Sequence, residues 1–257
     1  MPAAGLRALI ETRVEERLGG RFPAPLGWRQ KPASQTAPTG IAEVDALIGG
    51  LPRGALTEVC GPASSGRTAL VLSLLAEFTR RQEICALIDA GDHFDPASAA
   101  AAGVELGRLL WVRCEKAAAS RQSAASRKSN DKTLCNVDCA LRAADLVLQA
   151  GGFGLVVLDL GDVPAATARR VPLASWFRFR RAVEETPAAL LLLTQEALTG
   201  TCAALTLRLA ATAPAEAAKL PAHARLLGGF SVAVEVARSA SARRPGSGRK
   251  TAFATDL

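Results

Sequence analysis

The segment Gly61-Pro62-Ala63-Ser64-Ser65-Gly66-Arg67-Thr68 constrains this chain more than any other. It keeps the spacing of a phosphate-binding loop, G-x-x-x-x-G-K-[ST], with arginine where the lysine belongs. Glycines at 61 and 66 let the backbone curl until successive N–H groups face one anion, and a helix that starts there adds the positive end of its dipole. Thr68 is placed to ligate Mg²⁺. Arg67 keeps the charge but changes the shape, because guanidinium is a planar fork and the loop expects a compact ammonium. The motif therefore predicts a nucleotide site and argues against an efficient hydrolase.

A loop of this kind must leave a buried strand and open a helix. Leu56–Cys60 is a short apolar run ending at Gly61, and residues 66–82 carry Leu70, Leu72, Leu74, Leu75 and Phe78 at helical spacing before closing arginines. Further apolar runs at 84–89, 109–113, 155–160 and 189–194 are short, continuous and bounded by turn residues, as a parallel sheet buried on both faces requires. Helical stretches at 137–150 and 173–185 separate them. The expected fold is α/β: a mostly parallel sheet flanked by helices. Residues 203–210 and 229–237 alternate more and are expected to pair antiparallel at one end of the sheet.

The expected organisation is an N-terminal helix and linker over 1–38, a core over 39–237, and a basic tail with a short final strand over 238–257. In helix 4–18, Leu6, Leu9, Ile10, Val14 and Leu18 form one stripe, which suits a lid packed on the core or a docking arm. Residues 115–134, rich in Ser, Ala and basic side chains, read as a flexible insertion. That insertion and the basic stretch 238–250 are either solvated loops or contacts for phosphate backbones. In helix 173–185, Leu173, Trp176, Phe177 and Arg180 share a face expected to pack on the core, with Arg178 and Arg181 pointing away. A DNA or subunit contact is the alternative for that face.

Net charge is +7 in 257 residues. A basic balance favours acidic partners, nucleic acid among them. Aromatics make up 4% of the chain with no tyrosine, which argues against an aromatic base-stacking platform. No apolar run nears the ~18 residues of a membrane span, and no signal sequence is evident, so a cytoplasmic location is expected. The six cysteines are scattered and read as small core residues; Cys135 and Cys139 lack the further ligands of a metal site.

The segment Thr39-Gly40-Ile41-Ala42-Glu43-Val44-Asp45 through Gly54, the loop that follows, and Ile88-Asp89-Ala90 with Phe94-Asp95-Pro96 occur in an order and spacing that resemble the ATP core of bacterial RecA-type recombinases. The similarity is clear over 39–113 and weaker to about 210. It implies that Gly61, Ser64, Ser65, Gly66, Arg67, Thr68 and Ala69 hold the phosphates of ATP. Asp159, ending an apolar strand, would order Mg²⁺ with Thr68, and Gln195 would sense the γ-phosphate. Three departures accompany it. Gly91 stands where the family has the glutamate that positions the attacking water, and the neighbouring Asp92 is shorter and one residue on. The segment from Glu196 to Cys202 is much shorter than a recombinase DNA-binding loop. Arg67 is the third.

One branch of the superfamily fits these departures. The GRT-type loop, Leu109–Cys114, Ala140–Ala144 and Val232–Arg238 resemble the ImuA-type proteins, RecA-like accessory factors of inducible translesion mutagenesis. The resemblance implies partners: a Y-family-like protein and an error-prone C-family polymerase, or a RecA filament. The leading expectation is a nucleotide-sensitive scaffold with weak or no ATP hydrolysis. The competing one is a DNA-dependent ATPase that forms filaments on single-stranded DNA. A third is a mediator that caps such filaments through helix 4–18.

Overall fold

The computed structural model describes residues 35–114, 129–184, 186–212, 229–240 and 249–256. Contacts divide the chain between Ser34 and Gln35; the expected helix 4–18 and most of its linker lie outside the described residues.

The continuous apolar runs become strands of one sheet. They are β3 (Ala55–Cys60), β4 (Cys85–Asp89), β5 (Leu109–Arg113), β6 (Leu155–Asp159) and β7 (Ala189–Thr194). Three more follow: β8 (Leu205–Thr212), β9 (Gly229–Ser239) and β10 (Lys250–Asp256). The spatial order is β10-β9-β8-β3-β7-β6-β4-β5. From β8 to β5 every neighbouring pair is parallel, whereas β9 and β10 run antiparallel at the other end. A two-residue ladder between β1 (Thr36–Ala37) and β2 (Leu51–Pro52) precedes the sheet.

Alternation along each strand shows why the runs had to be unbroken. Val157 and Leu191 pack on one face with Leu70, Leu74 and Phe78 of α2 (Arg67–Arg80). Val156, Leu158, Leu190 and Leu192 pack on the other face with α4 (Ser129–Ala150) and α6 (Leu173–Glu184). Each large apolar side chain so buried contributes roughly 1.5–3 kcal/mol. Three short helices complete the layers: α1 (Ala42–Ile48), α3 (Pro96–Ala101) and α5 (Ala165–Ala168). Asp95 caps α3 by accepting from the amides of Ala97 and Ser98, and Pro96 takes the first helical position.

Two expectations are corrected. The insertion expected over 115–134 ends earlier, because residues 129–134 already belong to α4; residues 115–128 lie outside the described residues. The buried face of α6 consists of Trp176, Phe179 and Val183, and Leu173 and Phe177 are exposed. Both stripes satisfy helical spacing, and the sheet below selects the one carrying the largest ring.

Among the described helices none is long and apolar enough to cross a membrane. The described cysteines are free thiols, and burial pushes those of Cys85 and Cys114 up to about 12.

Candidate phosphate and nucleotide site

All the candidate residues sit at the carboxyl ends of parallel strands. Gly61 follows β3, Gly91 follows β4, Asp159 ends β6 and Gln195 follows β7. Ligand sites of open α/β sheets form at this edge because strand ends and helix starts converge there.

The loop from 61 to 66 leads straight into α2, with Gly66 in the left-handed region at φ 88° as the residue before the helix. Ser64 shares that region at φ 59°. A Cβ on Gly61 would lie 2.5 Å from the Leu209 carbonyl oxygen, and one on Gly66 would collide with Val232 of β9, so both positions require glycine. Among the described residues, the amides of Ala63, Ser64, Ser65 and Gly66 have no acceptor in the protein. The Ser65 hydroxyl is buried and equally unpartnered. A buried hydroxyl left in this state calls for an external acceptor. Together with the loop amides it suits a phosphate group, and Thr68, exposed on the first turn, stands beside them.

Arg67 does something the motif does not anticipate. Its side chain turns beneath the loop, and Nη1 donates to the carbonyl oxygens of Gly161 at 3.0 Å and Thr194 at 2.9 Å. It thereby ties α2 to the ends of both β6 and β7. The residue is buried, and its charge is met by carbonyl dipoles instead of lying free at the mouth of the loop.

Asp159 is half-buried, and its Oδ1 accepts from the Gly161 amide at 2.8 Å. Burial pushes its carboxyl up to about 6; the charges of Asp89 and Asp162 add to this, while the Gly161 hydrogen bond and Arg67 oppose it. Asp89 is its register partner on β4. Gln195 lines a cleft of about 450 Å³ with Cys60, Gly61, Pro62, Arg208 and Leu209. Burial raises the Cys60 thiol, assisted by the Glu58 charge and opposed by Arg208.

At Gly91 the structure holds no carboxylate. Asp92 is held away by Arg113, whose Nε and Nη2 reach its two oxygens at 2.6 Å each. The Arg113 guanidinium also covers the Trp111 ring. His93 folds over Gly91, with Nδ1 2.8 Å from Asp162 Oδ2. The expected site residues thus share one edge, but Arg67 and Asp92 are engaged within the protein.

Two buried carboxylates escaped the motif search. Asp89 accepts from the amides of Gly91, Asp92 and Phe94 and from the Trp111 indole, fixing the turn after β4. Glu58, fully buried in β3, accepts from the Leu198 amide at 2.6 Å and from the amide and hydroxyl of Thr199. It pins the short segment that follows Gln195. A lone acid inside the apolar run Leu56–Cys60 was the only trace of this role.

Residues 7–124 match the RecA N-terminal domain. Over that segment the chain is similar to RecA. It is 41% identical over 108 residues to Protein RecA of Rhodopirellula baltica, covering 41% of this chain and 28% of that protein. It is 32% identical over 165 residues to Protein RecA of Deinococcus radiodurans, covering 62% and 39%. For Protein RecA of Rickettsia bellii the values are 30% over 149 residues, 57% and 38%. The chain therefore spans less than half the length of these relatives.

Proposed function

We propose that this RecA-like chain is an accessory protein of the DNA damage response, acting in translesion mutagenesis as a nucleotide-sensitive scaffold with weak or no ATP hydrolysis. One observation carries the reading: Arg67 Nη1 donates to the carbonyls of Gly161 and Thr194. That anchoring opposes the part of a free cation that follows a phosphate through a transition state. The absence of a carboxylate at Gly91 agrees with it, since that position itself offers nothing to orient water.

ATP with Mg²⁺ is the group this loop would take, and when bound it supplies a polyanion and a hard cation. The amides of 63–66 and the Ser65 hydroxyl would hold its phosphates, and Thr68 and Asp159 would meet the cation. Gln195, one residue beyond the Arg67 acceptor Thr194, would report occupancy to the segment that Glu58 secures. Partners are expected from the ImuA-type resemblance: a Y-family-like protein and a C-family error-prone polymerase, or a RecA filament, with DNA reached through basic segments in the cytoplasm.

ATP turnover by the purified chain, with and without single-stranded DNA and beside Thr68→Ala, tests this. The expected outcome is nucleotide binding with turnover far below that of an active recombinase and no response to DNA. DNA-stimulated turnover that vanishes in Thr68→Ala would sink the scaffold reading. It would favour a DNA-dependent ATPase, which the unengaged loop amides and Ser65 also suit.

A further inference from the structure

Helix α6 carries an apolar side that the fold leaves in water. Trp176, Phe179 and Val183 fill the core, while Leu173 and Phe177, one turn apart, stand 57% and 49% exposed. At 3.6 residues per turn, Leu173 and Phe177 share a face with Arg180 and Glu184, and Arg181 lies at its margin. Arg178 projects elsewhere, pairing with Asp145 of α4 through two bonds of 2.9 and 2.6 Å. The helix α4 therefore lies against the other flank and does not cover Leu173 and Phe177. The turn Gly200–Cys202 also contacts α6. Arg238 of β9 donates to the Gly200 carbonyl at 2.6 Å, and both Arg180 and Arg238 act on the Cys202 thiol. Two apolar side chains thus sit on a face that also carries Arg180, Arg181 and Glu184, with Arg238 held at the turn that contacts the helix.

We propose that this face of α6 docks an acidic amphipathic segment of a partner protein. Apolar side chains of that segment would cover Leu173 and Phe177, and its carboxylates would meet Arg180, Arg181 and Arg238. Charge complementarity selects the occupant, since the face carries two arginines against one glutamate in a chain of net charge +7. Single-stranded DNA suits the face less well. Base stacking needs successive π surfaces, and here one aromatic ring stands beside a leucine. The inference rests on the scaffold reading for the existence of a partner, but not on nucleotide binding.

The full-length chain would be panned against a random peptide library beside Phe177→Ala and Arg180→Glu proteins. Both sites are exposed, so melting temperatures should match the wild type; Leu173→Ser serves as a second probe if one variant folds poorly. Enriched peptides are expected to be acidic, with apolar residues three or four apart, and to bind the variants about tenfold more weakly. Leu146→Ser, at an exposed leucine on α4, should bind as wild type. No enrichment, enrichment of neutral or basic peptides, or equal binding by the variants overturns the proposal. So does loss of labelled oligo(dT) binding in Phe177→Ala without acidic peptides, which would assign the face to nucleic acid. Repeating the measurement with ATP and Mg²⁺ separates the two readings: peptide binding indifferent to ATP keeps this face and removes nucleotide sensitivity.

Discussion

Three loops leave the same edge of the sheet, and they satisfy their amides in opposite ways. The turn after β4 and the segment after β7 receive buried carboxylates from the protein itself, Asp89 and Glu58. The loop between β3 and α2 receives none, and among the described residues its amides from Ala63 to Gly66 and the Ser65 hydroxyl have no partner. The first two turns are thus held by internal anions, and the loop between β3 and α2 is not.

Glu58→Ala should break the comparison most severely. It leaves the Leu198 amide and both Thr199 donors without an acceptor in a dry site, at a cost of about 3–5 kcal/mol. Urea denaturation measures it, and a loss under about 1 kcal/mol would mean the segment is not held this way.

Arg67→Lys comes next. Two charge-assisted bonds to buried carbonyls disappear, so the ligand-free protein should lose about 1.5–3 kcal/mol. The freed ammonium reaches the loop, and a fluorescent ATP analogue should bind more tightly than to the wild type. Unchanged stability would show that Arg67 is not the tie between α2 and the ends of β6 and β7.

Asp159→Asn sharpens the electrostatic side. The carboxyl titrates near 6 in the folded chain against an ordinary 3.8, so the folded state holds a proton that the unfolded state has released. Wild-type stability should therefore fall as pH rises from about 4 to about 6 and level off above. The asparagine protein, which keeps an acceptor for the Gly161 amide, escapes that fall. It should be more stable at pH 8 by about 1–3 kcal/mol in chelator, with the difference fading below pH 4. A constant difference across the range would contradict the assignment. The smallest effect belongs to Arg113→Ala, whose half-exposed pair with Asp92 should be worth about 0.5–1 kcal/mol in thermal melts.

The strands were legible in the sequence because both faces are buried, and a continuous run such as Ala189–Thr194 needs no knowledge of its neighbours beyond that. The glycine turn between β3 and α2 was legible for a similar reason: its glycines act within a single short segment, 61–68. Glu58 was not, since its partners lie about 140 positions away and nothing local distinguishes a ligand of backbone amides from a stray acid. The face of α6 failed differently. Its periodicity fits two stripes, and only the position of the sheet and of Asp145 decides between them.

Val232 lies directly against Gly66, with β9 joined to the sheet through β8. A loop encoded near the start of the core is therefore closed by a strand encoded near its end, 166 positions later (232 minus 66). At about 5–20 residues per second, a ribosome takes on the order of 8–33 s to cover that interval. Newly made chains spend that time with the loop between β3 and α2 unsupported by β9, so the packing of Val232 against Gly66 is a late product of synthesis.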